Sequence, residues 1–102
     1  MYHRDYTVIL AKHNLFVNST IMNFPLRVFA IDREIFVGDA KSLTVPSVSG
    51  QLQILAEHTP LISTLKEGEV IIESADGAIQ KLPIASGTVE VTDQEVIALV
   101  NF

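Results

Sequence analysis

The sequence predicts an all-β fold, a two-sheet β-sandwich of about nine to ten short strands. Three observations predict it. Apolar and polar residues alternate with period two in several short windows, turn-forming pairs recur between those windows, and no stretch sustains the 3.6-residue period of an amphipathic helix.

The first expected strand covers 25–31, where Leu26, Val28 and Ala30 alternate with Arg27, Phe29 and Ile31. A second, 34–37, runs into the breaker Gly38-Asp39, and a third, 40–46, alternates Leu43 and Val45 with Ser42 and Thr44. Val45-Pro46-Ser47-Val48-Ser49-Gly50 reads as a long exposed connection leaving that strand near Val45. The strand 51–55 follows, with Gln51 and Gln53 on one face and Leu52 and Ile54 on the other. It ends in a corner at Ala56, Glu57, His58 and Thr59, because Pro60 biases the residue before it away from helical geometry. Strands at 61–65 and 69–74 flank the breaker Glu67-Gly68, the second alternating Val70 and Ile72 with Glu69, Ile71 and Glu73. Asp76-Gly77 suits a two-residue hairpin turn, since both residue types tolerate positive φ. The strand 78–84 contains Pro83, which lacks a ladder N–H and so marks an edge or a bulge. Strands 87–92 and 95–100 complete the set, set off by Ser86-Gly87 and Thr92-Asp93.

A chain of 102 residues is one domain's worth of core, and its 48% hydrophobic content, rich in Val, Ile and Leu, is enough to fill the gap between two sheets. With no cysteine it has neither a disulfide nor a thiolate metal site, which fits a reducing compartment. The net charge of −5 and the scattering of seven basic residues argue against a nucleic-acid surface. No apolar run approaches the roughly 20 residues of a spanning helix, so direct membrane insertion is not expected.

Residues 1–23 read as an N-terminal extension ahead of a sandwich domain at 24–102. The extension holds both tyrosines, Tyr2 and Tyr6, and its apolar patches are split by Lys12, His13 and Asn14, so it does not form the apolar core of a signal peptide. Met22, just before Asn23-Phe24-Pro25-Leu26, is the expected native start; the rival reading is a genuine arm that adds an edge strand through Thr7–Leu10.

Chemistry is poorly provided for. No serine sits in a Gly-x-Ser-x-Gly elbow, the three histidines occupy separate segments, and no glycine-rich loop opens a helix, so neither catalytic residues, a metal, a cofactor nor a small-molecule substrate is expected. Ser86, before Gly87, reads as a turn residue.

Five signatures stand in register with strand-length spacing: Phe36-Val37-Gly38, Val45-Pro46 through Gly50, His58-Thr59-Pro60-Leu61, Lys66-Glu67-Gly68, and Ser86-Gly87-Thr88-Val89-Glu90-Val91. In this order they resemble the N-terminal β-sandwich domain of the epsilon subunit of F-type ATP synthases, over about residues 24–102. The chain departs from that pattern at Ala56-Glu57, where the family often has Pro-Gly, and at Ala85-Ser86-Gly87, where Ser-Gly-Gly is usual.

The resemblance implies a non-catalytic rotor subunit at the foot of the central stalk, a peripheral part of the complex on the cytoplasmic face of the cell membrane. Its partners would be the gamma subunit and the membrane ring. By position in the motif, Ser47, Val48, Ser49, Gly50 and Gln51 correspond to the part that meets the ring, and His58, Thr59, Pro60 and Ser63 to the gamma-facing corner. Gln51 stands where an acidic residue often meets a ring loop, so a charge-assisted contact becomes a neutral one, about half as strong. Without the resemblance, His58 reads as a turn histidine bonded to a local carbonyl. Longer family members follow the sandwich with a helical hairpin that senses ATP; the sequence stops at Phe102, so autoinhibition and nucleotide binding are not expected. The competing class is a free-standing carbohydrate or adhesion module, disfavoured because such sites stack sugars on Trp or Tyr, and Trp is absent here.

Overall fold

Eight strands and no helix make up residues 22–102, the part of the chain that the computed structural model describes. The strands are β1 (Phe24–Ala30), β2 (Arg33–Ser47), β3 (Gly50–Leu55), β4 (Leu61–Leu65), β5 (Gly68–Ser74), β6 (Ile79–Ile84), β7 (Ser86–Val91) and β8 (Val96–Asn101). The possible edge strand through Thr7–Leu10 lies outside the described residues.

The 15-residue strand β2 organises the molecule. Its first half pairs antiparallel with β1, from Ala30↔Arg33 to Phe24↔Ala40. Its second half pairs with β5 on one side and β3 on the other, Thr44 lying opposite both Ile71 and Gln53. One layer is therefore the first half of β2 with β1, β8, β7 and β4; the other is β3, the second half of β2, β5 and β6. β1 and β8 run parallel, the other pairs antiparallel.

Expected strands 34–37 and 40–46 are thus one strand. Gly38 and Asp39 do not turn the chain; they pair with Leu26 and Pro25 of β1, and the register shifts between Ala40 and Ser42. A glycine inside a strand commonly marks a bend or bulge, and here the chain passes from one layer to the other. Two further expectations change. The connection after Val45 is a tight hairpin, with Ser47 opposite Gly50 and only Val48 and Ser49 between them. Asp76-Gly77 is not a two-residue I′ turn: the Gly77 N–H bonds the Ser74 carbonyl at 2.9 Å, and Gly77 alone takes positive φ, +93°. This is the three-residue pattern of a type I turn closed by a left-handed glycine. Pro83 does fall on an edge, because β6 ends the order of strands.

The inner faces supply the core. Leu26, Val28, Leu43, Val45, Ile54, Val70 and Ile72, on faces marked by alternation, are buried, as are Val89, Ala98 and Val100 of β7 and β8, and burying each larger side chain contributes about 1.5–3 kcal/mol. Among the described residues no buried side-chain nitrogen or oxygen lacks a hydrogen-bond partner, so this core carries no polar penalty.

Candidate functional site

Of the residues singled out by the sequence, those at 47–51 and those at 58–60 lie at opposite ends of β3. Its 6 residues, at about 3.3 Å each, separate them by about 20 Å.

At one end is the Val48-Ser49 hairpin tip. Val48 and Ser49 keep negative φ, so the reversal falls to Gly50 at +127°. Ser47, itself buried, accepts the Ser49 N–H on its Oγ at 3.1 Å and meets the Ser49 hydroxyl at 3.0 Å. The tip is also tied to the other layer: the Val48 N–H donates to the Thr64 carbonyl at 3.0 Å, and the Lys66 N–H to the Pro46 carbonyl at 2.8 Å. Two signatures touch here: a Cβ on Gly68 would come within 2.7 Å of the Pro46 ring. In the Ser-Gly signature, a Cβ on Gly87 would come within 2.5 Å of the Leu99 carbonyl oxygen of β8. The Lys-x-Gly and Ser-Gly glycines therefore stand where other chain segments leave no room for a side chain. Val48 remains 60% exposed at the apex. Below it, Ser47, Ser49, Gly50 and Gln51 line a shallow cleft of about 370 Å³ together with Leu61, Ile62 and Ser63.

At the other end, the His58 N–H bonds the Leu55 carbonyl at 3.2 Å, closing a turn through Ala56 and Glu57. Glu57 has φ +64°, while Ala56 does not share the positive φ. That combination is a type II turn, whose favoured residues are Pro then Gly. The family's Pro-Gly is thus a turn requirement, and Ala56-Glu57 adopts the same shape without the residues that favour it.

The half-buried His58 ring places Nδ1 2.9 Å from the Thr59 carbonyl. A carbonyl only accepts, so Nδ1 carries the proton and Nε2 is the acceptor of the neutral ring. This is the local bond of a turn histidine, and it leaves a ring nitrogen with a defined role towards an incoming donor. His58, Thr59 and Pro60 line a cleft of about 550 Å³ with Asn23, Phe24 and Pro25 and with the turn from Val91 to Val96.

The structure brings His58, Thr59 and Pro60 together and groups Ser63 with the hairpin tip instead. Sequence reasoning marked Thr92-Asp93 only as a breaker, yet this turn forms a wall of the His58 cleft. Thr92 Oγ1 accepts from the Gln94 and Glu95 N–H groups at 3.2 and 3.1 Å, which fixes the turn. Arg27 clamps Glu95 through Nε and Nη2 at 3.1 and 3.2 Å; with both side chains partly in solvent, the pair is worth at most about 1 kcal/mol. A Thr-x-x-Glu step was the available signal.

Among the described residues no group of His, Asp or Glu side chains is placed to hold a metal ion, and no helix is long and apolar enough to cross a membrane.

Residues 23–102 match the family model of the ATP synthase delta/epsilon chain β-sandwich domain. The ATP synthase epsilon chain of Dichelobacter nodosus is 35% identical over 82 residues, 78% of this chain and 57% of that protein. That of Bordetella petrii is 40% identical over 74 residues, 72% of this chain and 52% of that protein. The chain therefore spans about half the length of these curated relatives. A chain in the cryo-EM structure of the Euglena gracilis mitochondrial ATP synthase shares the fold, with a TM-score of 0.69 at 21% identity over 78% of this chain and 50% of that one.

Proposed function

Since the chain belongs to the family of ATP synthase delta/epsilon chains, through their β-sandwich domain, we propose that it is a non-catalytic subunit of the central stalk. It sits peripherally on the cytoplasmic face of the membrane and docks the gamma subunit onto the ring that ion flow turns. The His58 end faces gamma and the Val48-Ser49 end faces the ring.

The observation that carries this reading is the bonding between the two ends. β3 joins them directly, and the tip is hydrogen-bonded to Thr64 of the opposite layer and to Lys66 in the link that follows it, so a load on the tip enters both sheets. Close-packed interiors barely compress, and the domain passes that load on instead of absorbing it. Gln51, exposed beside the tip, offers the ring a neutral amide, so ring contact leans on Val48 and the hairpin backbone.

The test is co-purification with the gamma subunit from the same genome. His58→Glu with Thr59→Glu leaves the domain folded, by circular dichroism, and abolishes gamma capture. Gamma capture by the doubly substituted chain at wild-type strength contradicts the assignment of this end.

A further inference from the structure

His58 spends one ring nitrogen on its own turn and keeps the other. Nδ1 donates to the Thr59 carbonyl at 2.9 Å, and Nε2, the acceptor of the neutral ring, has no hydrogen-bond partner among the described residues. The half-buried ring belongs to the wall of the cleft of about 550 Å³, so a partner entering there displaces water from Nε2 and must put a donor in its place.

The charges around the ring say what kind of donor fits. Its own turn brings Glu57 to the lining, the turn between β7 and β8 brings Asp93 and Glu95, and the start of β1 brings no charge. Arg27, further along β1, is clamped onto Glu95. Among the described residues no lysine or arginine lines the cleft. A cationic donor therefore meets a ring acceptor and a negative surround together, whereas an anionic group meets like charge.

Protonation inverts what the ring offers. An imidazolium donates from both nitrogens, so the bond to Thr59 and the shape of the corner survive, but Nε2 changes from acceptor to donor. Histidine is the side-chain type that ordinarily changes charge between about pH 5 and pH 8. Resting on the docking of this end to gamma, we infer that His58 Nε2 accepts a hydrogen bond from a lysine or arginine of the gamma subunit, so that acidification loosens this joint while the domain stays folded.

Gamma capture by the full chain at about pH 8 and about pH 5.5 tests this, with two variants that divide the ring between them. Wild-type capture weakens about 10-fold or more at the lower pH. Asparagine reaches about as far as Nδ1, so His58→Asn keeps a donor for Thr59 and an unchanged circular dichroism spectrum, yet captures gamma about 10-fold more weakly at the higher pH. Glutamine reaches about as far as Nε2 and does not titrate; His58→Gln captures at close to wild-type strength at the higher pH and loses the pH dependence. Wild-type capture that is equal at both pH values, His58→Asn capture equal to wild type, or a His58→Gln profile as steep as the wild type's overturns the inference. So does a free chain whose ring nitrogen chemical shifts put the neutral proton on Nε2, a result that needs no gamma. A wild-type chain that captures no gamma at either pH contradicts docking at this end, and the inference with it.

Discussion

Replacing Glu57 by Gly and, separately, by Ala isolates the backbone strain at the His58 corner. Both substitutions delete the same side chain and whatever it contacts, so the difference between them reads the backbone alone. At φ +64° a Cβ costs about 1–2 kcal/mol that glycine does not incur. Glycine loses more conformational freedom on folding, worth about 0.5–1 kcal/mol, which offsets part of the gain. The net expectation is that the Gly variant is more stable than the Ala variant by about 0.5–1 kcal/mol, the reverse of their order inside a regular strand. For a domain of this size that is a difference in melting temperature of about 2–8 °C. Urea unfolding of the two variants side by side, with equal m-values, gives the free-energy difference directly. An Ala variant equal to or more stable than the Gly variant refutes the type II assignment and the explanation of the family's Pro-Gly at this corner.

Gly87→Ala forces a Cβ to within 2.5 Å of the Leu99 carbonyl in a paired strand and destabilises by about 2–3 kcal/mol. By contrast, Gly38→Ala meets only the Phe36 ring at 3.6 Å and is close to neutral, so chemical denaturation of both separates close approach from general loss of glycine. Leu43→Ala, at a fully buried position on the strand shared by both layers, lowers stability by about 2–5 kcal/mol in the same assay. The Ser74 hydroxyl, aided by the Ala78 N–H, holds the Asp76 carboxyl below its ordinary pKa of 3.8. Its stabilisation is present above that value and is lost as pH falls through the lower folded pKa, so Asp76→Asn flattens the acid side of the stability–pH profile.

Alternation made most of the fold legible. Where one face of a strand is buried and the other wet, as in β1 or β5, period two appears in the residues themselves, and the core of Leu26, Val28, Val70 and Ile72 follows from it. Glycine and proline were less transparent, because the same residue serves different geometries. Gly38-Asp39 carries a turn's composition, but its backbone is occupied by β1, a pairing no local pattern reveals. Pro46 through Gly50 reads as a loop because small residues crowd it; the hairpin is tight because Gly50 takes the positive φ. At the corner, the departure from Pro-Gly left the loop shape open, and the closing hydrogen bond to Leu55 preserves it. The Arg27–Glu95 clamp was out of reach, because its partners stand 68 residues apart in sequence and no local pattern joins them.

The central claim is that one rigid body holds two partners at opposite ends. A three-component pull-down tests it most directly: immobilised gamma should retain the membrane ring more strongly when this chain is present. With Val48→Asp the chain should still bind gamma but no longer recruit the ring, and with His58→Glu and Thr59→Glu it should still bind the ring but not gamma. Loss of both partners from either substitution, or of neither, contradicts the account.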